Sequence, residues 1–170
     1  AVGDLQKSSF KSMSCEDNND FNFIVRKIKK EHEREKLNVV IIDYLTLMTA
    51  SGFQIKNYEV EYMANRLKLL ATELNCCIVI LAQLNRAVEI RGTDKRPLLA
   101  DLRDSGGIEQ ASNVVAFLHR EDYYRKNTEE NKNDFSFLEF IIRKNRSGEL
   151  GTVTLGYNKK IQRIGGLKRD

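Results

Sequence analysis

The chain contains no tryptophan, one proline and three cysteines among 170 residues. No stretch approaches the roughly 18 uninterrupted apolar residues that a membrane span needs, so hydropathy excludes a transmembrane helix. The start, Ala1 to Phe10, has no charged region followed by an apolar run and does not read as a signal peptide. It also lacks an initiator methionine, which suggests a fragment. The odd, sparse cysteine count (Cys15, Cys76, Cys77) excludes a disulfide framework and fits a reducing cytosol. Cys76 and Cys77 are neighbours whose side chains would face opposite ways in a strand. They are therefore expected to pack rather than bridge. There is no internal repeat, and the length suffices for one core but not for two ordinary domains.

What is present describes a globular α/β chain, 41% hydrophobic and 31% charged. The net charge of +4 is compatible with nucleic acid, and its distribution says more than its size. Basic residues crowd into 26–36, 86–103 and 143–146, two of these clusters following expected strands. Residues 1–19 are polar and aperiodic and read as a loop or severed end. Asp17, Asn18 and Asn19 are candidate caps for a helix running to about Lys36, with Phe21, Ile24, Val25 and Ile28 as its apolar stripe. Val39 to Ile42 is a continuous β-branched run, as in a sheet buried on both faces. Val60, Met63, Leu67, Leu70 and Leu74 recur at helical spacing, predicting a helix over 58–75, and Cys77 to Leu81 is a second buried-type strand. Strand, helix and strand of these lengths make a βαβ unit. A polar, basic segment, 85–103, separates it from a third strand over 114–118. Residues 120–133 read as an exposed loop, 135–142 and 152–157 as a hairpin, and 160–164 as an edge strand.

Four segments carry chemistry. Val39-Val40-Ile41-Ile42-Asp43 puts an acid at the carboxyl end of a strand, where α/β sheets bind ligands. Leu81-Ala82-Gln83-Leu84-Asn85-Arg86 puts an amide at the end of the next strand, able to touch a γ-phosphate. In Asp101-Leu102-Arg103-Asp104-Ser105-Gly106-Gly107-Ile108-Glu109-Gln110 the paired glycines permit positive φ and close backbone approach, and an arginine stands beside them. That suits a phosphodiester chain held without reading its bases. Lys144-Asn145-Arg146 places two cations one residue apart, pointing the same way on an extended segment. Taken singly, each also describes an ordinary strand end, turn or solvated hairpin tip.

Taken together, in this order and spacing, VVIIDYLTLM, LAQLNR, RPLLADLRDSGGIEQ and KNRSGELGTVTLGYN resemble the C-terminal motor domain of DnaB-type replicative helicases, from about Phe21 to Ile164. The resemblance implies an α/β fold: a RecA-like P-loop ATPase core, mostly parallel sheet flanked by helices, with a C-terminal β-hairpin, truncated on its N-terminal side. Residues 20–170 would be the later part of that motor. Asp43 matches the Walker B aspartate that positions Mg²⁺, and Gln83 the glutamine that couples the γ-phosphate to DNA-facing loops. Arg103, Asp104 and Gly106 match positions that contact the single-stranded DNA backbone. Lys144 and Arg146 match the pair offered to a neighbouring subunit's ATP, Arg146 as arginine finger, with Asn145 able to touch the same nucleotide through its backbone. The family more often has glutamate where Asp104 stands, and often serine where Gly107 stands, a departure expected to loosen that loop.

The resemblance further implies a cytoplasmic homohexamer that uses ATP and Mg²⁺, binds single-stranded DNA, moves 5′→3′, and has primase and a helicase loader as partners, with no membrane contact. No G-x-x-x-x-G-K-[ST] occurs in the 170 residues, and the family's catalytic glutamate is absent, so this chain alone is expected neither to bind ATP tightly nor to hydrolyse it. Two other readings keep the fold: a RecA-like ATPase with another task, such as recombinase or clock ATPase, and a non-catalytic ring or adaptor protein.

Overall fold

A computed structural model describes residues 10–15, 18–92, 94–124 and 134–167, with the backbone alone at 103–105. Most of the polar start, including Asp17, and residues 125–133 of the expected loop lie outside the described residues.

Helix α1 spans Phe21–Arg34, and its cap is Asp20, not Asn18 or Asn19. Asp20 accepts the Phe23 amide at 2.8 Å, while Asn18 and Asn19 serve the turn before it: Asn18 Oδ1 accepts the Asp20 amide at 2.9 Å. Phe21, Ile24 and Ile28 are buried, as the stripe predicted. Strand β1, Val39–Ile42, is followed by a 3₁₀ turn, Leu45–Leu47, and the Asp43–Tyr44 peptide is cis. Helix α2, Lys56–Leu74, buries Val60, Met63, Leu67 and Leu70. Asn75 ends it in the left-handed conformation (φ 48°), a role asparagine tolerates well. Strand β2, Cys77–Ile80, then pairs parallel with β1, Val39 opposite Cys77 through Ile42 opposite Ile80. A one-turn helix α3, Ala87–Ile90, and a 3₁₀-helix, Leu99–Ser105, lie within the segment read as polar and basic, and α4, Gly106–Ala111, follows directly.

Strand β3 is Val114–His119, then come a short helix α5, Glu121–Tyr124, and strands β4, Phe135–Asn145, β5, Gly151–Asn158, and β6, Arg163–Gly166. These four strands form an antiparallel sheet in the order β3-β4-β5-β6, separate from the β1-β2 pair. The hairpin is therefore as expected, and among the described strands parallel pairing is confined to β1 and β2. Residues 120–124, expected in an exposed loop, are partly packed: Asp122 accepts the Ser136 hydroxyl at 2.6 Å and faces Arg120 and Lys159.

The larger core lies between α1, α2, α4 and one face of the parallel pair. It includes Phe21, Ile28, Ile42, Leu45, Met63, Leu67 and Ile108. A smaller one joins Leu102, Val115, Phe117 and Ile141. The expectation of strands buried on both faces is not met. Val39 is 53% and Ile41 62% exposed, and Val79 and Leu81 on the neighbouring strand are exposed beside them. The reason is that α1 and α2 pack against one face only, the side of Val40, Ile42, Ile78 and Ile80. Cys77 shares the open face and is exposed, whereas Cys76, half-buried, has its thiol pushed up by burial and by its neighbour.

Candidate functional site

Asp43 and Gln83 stand at the carboxyl ends of the two parallel strands. Side chains alternate along a strand, so Asp43 falls on the face of Val39 and Ile41. The exposure of β2 alternates on through Leu81 to Gln83, and its exposed residues pair with those of β1. The acid and the amide thus share the open face, and both are exposed.

The loop after Asp43 is held at several points. Leu45 is fully buried, and its amide reaches the Leu81 carbonyl at 3.4 Å. Thr49 bridges to the start of α1, donating to the Asn19 carbonyl at 3.0 Å and accepting from the Phe21 amide at 2.9 Å. Glu59, one turn into α2, accepts the Ala50 amide at 2.5 Å and faces Lys56 at 2.8 Å, while Lys56 also donates to the Met48 carbonyl. Burial pushes the Glu59 carboxyl up, and the Lys56 and Ala50 hydrogen bonds more than offset it, so it stays charged below the ordinary glutamate range. Nothing in the sequence marked Glu59, which sits on an otherwise apolar helix face.

From Gln83 the chain makes an excursion that returns at Asp101. The Asn85 amide donates to the Asp101 carbonyl at 3.0 Å. The Asp101 side chain, 5% exposed, accepts the Leu98 amide at 2.7 Å and pairs with Arg91. Arg91 also donates to the Arg96 carbonyl at 3.0 Å. Arg96 then grips Glu139 on β4 with two hydrogen bonds of 2.7 Å. That guanidinium holds the Glu139 carboxyl below its ordinary range despite partial burial, and the pairing raises the arginine in turn. Asp101 had a faint signal, an acid placed where it can cap the turn beginning at Leu98.

The backbone of Arg103 and Asp104 belongs to the 3₁₀-helix that ends where Gly106 opens α4. The expectation of positive φ at the paired glycines fails. Gly106 is helical (φ −52°), and among the described glycines only Gly52 has positive φ. Nor is Gly107 a point of looseness. A Cβ there would stand 2.4 Å from Glu61 Cβ and 2.5 Å from its Cα, so the missing side chain lets α4 lie directly on α2.

Lys144 and Arg146 do point the same way, and a β-bulge decides which way. The β3–β4 register slips between Ala116 opposite Ile142 and Val115 opposite Lys144, making Arg143 an extra residue. The slip moves Lys144 from the face of Phe140 and Ile142 to that of Val115 and Phe117. There Lys144 donates to the Glu109 carbonyl at 2.5 Å and Arg146 to the Gln110 carbonyl at 3.0 Å, both in α4. Cations suit the carbonyl end of a helix. Arg146 is exposed, while Asn145 orders the turn by accepting the Ser147 amide and donating to the Glu149 carbonyl.

Among the described residues no three His, Cys, Asp or Glu side chains converge on a metal position. A single exposed carboxylate at a strand end fits Mg²⁺, which commonly takes one or two carboxylates together with phosphate oxygens and waters. No helix among the described residues is long and apolar enough to cross a membrane.

Residues 3–165 match the family model described as the DnaB-like helicase C terminal domain. Over 146 residues the chain is 44% identical to the replicative DNA helicase DnaB of Geobacillus stearothermophilus, and equally to the replicative DNA helicase DnaC of Bacillus subtilis (strain 168), covering 85% of this chain and 30% of each relative. The DnaB of Haemophilus influenzae is 40% identical over 136 residues, 79% of this chain and 28% of that protein. The chain therefore spans about a third or less of these curated relatives. Among solved structures, a DnaB-like replicative helicase, solved for its interactions with primase, superposes with a TM-score of 0.86 at 34% identity, over 98% of this chain and 40% of that one. A second solved chain, an isolated ATPase domain, gives 0.85 at 32%, over 98% and 58%. With strand-end acid and amide, trailing loop and paired cations in the expected order, the chain belongs to the DnaB-like helicase C-terminal domain family.

Proposed function

We propose that the whole protein is a homohexameric replicative DNA helicase that hydrolyses ATP between subunits and moves 5′→3′ along single-stranded DNA, in the cytoplasm at the replication fork. The observation that carries this reading is the shared open face of Asp43 and Gln83 at adjoining strand ends, the side on which α/β sheets bind ligands. Asp43 would hold Mg²⁺ through water, and the ion would neutralise charge on the phosphates. Gln83 would meet the γ-phosphate and pass its presence to the following loop. Arg103, Asp104 and the Gly106 backbone would contact the DNA phosphates, giving salt-sensitive binding with little sequence preference. Lys144, the Asn145 backbone and Arg146 would face a neighbour's nucleotide, an assignment favoured by the exposure of Arg146 and the convergence of both cations. Primase is proposed as a partner on the likeness to the structure solved with it, and a loader on the family resemblance. Lacking a phosphate loop, this chain by itself would not turn over ATP.

Mixing subunits tests the reading. In the full gene product, Asp43→Asn and Arg146→Ala should each lower ATP turnover by about 10³-fold or more, the scale of arginine-finger losses. Mixed rings should regain activity, because an interface with intact Asp43 on one side and intact Arg146 on the other is whole. No recovery on mixing would place Arg146 in its own subunit's site and defeat the proposal.

A further inference from the structure

Gln83 and Arg103 are twenty residues apart in sequence, yet each lies two residues from the same hydrogen bond, Asn85 N–H to the Asp101 carbonyl. The excursion between them is closed at its neck, so a displacement at the strand tip need not travel around it. What holds the neck is the Asp101 carboxylate. It is buried, caps the turn at Leu98 through that residue's amide and pairs with Arg91, which itself ties down the Arg96 carbonyl. Arg96 anchors the far side of the excursion to β4 through Glu139. Val88, in the intervening helix, is 2% exposed, and Leu84 and Leu102 pack into one apolar cluster with β3 and β4. Apolar packing would hold the excursion against the sheet. It would not by itself set the distance between its two ends, whereas a directional charged pair does.

We infer that Asp101 and Arg91 are positioning residues that make the Gln83 strand tip and the Arg103–Gly106 segment move as one body, so that nucleotide state and DNA grip are coupled through the neck of this loop. The inference rests on the roles proposed above for Gln83 and Arg103 and adds the element that joins them. Neither Asp101 nor Arg91 reaches the nucleotide in this scheme, so their loss should spare chemistry and spoil communication.

The test uses the full gene product with poly-dT, measuring ATP turnover with and without DNA, DNA affinity and thermal unfolding. Arg91→Ala and Asp101→Asn should cut the DNA stimulation of turnover by at least about 5-fold, the lower end of typical site-to-site couplings. Basal turnover, poly-dT affinity and melting temperature should stay near wild type, and Arg91→Lys should restore part of the stimulation. Arg91, about a third exposed, is the safer variant and decides the matter should Asp101→Asn fail to fold. Unchanged stimulation in Arg91→Ala overturns the inference. So does a parallel loss of basal turnover, affinity and melting temperature, which marks a merely structural pair. Gln83→Ala separates the levels: if it uncouples while Arg91→Ala does not, the latch alone is wrong. If Gln83→Ala leaves stimulation intact, the proposed role of Gln83 is wrong and the latch falls with it.

Discussion

The two halves of the molecule are held together by different physics. Around α2 and the parallel pair, fourteen buried side chains form one cluster, and the helices that supply it leave the other sheet face bare. Around β3 to β6 the buried cluster has four members among the described residues, and β6 is exposed along its whole length. There the ladder hydrogen bonds of β3-β4-β5 carry the architecture, with polar clamps at the rim: Arg96 on Glu139, and Arg120, Ser136 and Lys159 around Asp122. Burial raises the Asp122 carboxyl, and those three partners together lower it by more, leaving it charged. The first half is an apolar body that fixes where the strand ends sit. The second is a hydrogen-bonded frame that aims cations and loops.

The contrast can be broken by core truncation. Leu67→Ala, inside the helical body, should cost about 4 kcal/mol, and Ile141→Ala, equally buried but beside a sheet that can relax, about 2–3 kcal/mol. Urea unfolding of the two variants measures the difference, and equal losses would erase the distinction. Gly107→Ser sharpens it, because the added atoms meet the α2 backbone at Glu61. A loss of about 1–3 kcal/mol is expected, a fall of several degrees in melting temperature, whereas Gly106→Ala, with open space around it, should be near neutral. The smallest effect belongs to the rim. Glu139→Gln should cost about 0.5–1 kcal/mol at neutral pH, modest because the Arg96 side chain is 41% exposed. The folded carboxyl lies below its ordinary value of 4.5, so the pair's contribution is complete above that pH and is lost as pH falls through the folded value. The gap between wild type and variant should close in acid, and a gap that widened there would exclude the ion pair as its source.

Much of this arrangement was legible because it is periodic or local. The spacing of Val60, Met63, Leu67 and Leu70 specified the long helix and its buried side, and the β-branched runs specified two strands whose ends carry Asp43 and Gln83. The family blocks located the remaining candidates in order. Three things were not legible. The open face of β1 and β2 depends on what packs against them, which an apolar run does not state. Gly107 was read as freedom, but its use is contact, visible only once Glu61 on another helix lies against it. The bulge at Arg143, which turns Lys144 and Arg146 toward α4, arises from pairing with β3 and leaves no mark in the alternation of β4 itself.

The sequence by itself determined the element types, the βαβ order and the residues at the strand ends, since hydrophobic period and β-branching act over a few neighbouring positions. Tertiary structure alone decided that Asn85 and Asp101 close one neck, that Arg96 reaches Glu139, and which face each cation serves. Those outcomes depend on distances between segments far apart in the chain, and no local pattern encodes a distance.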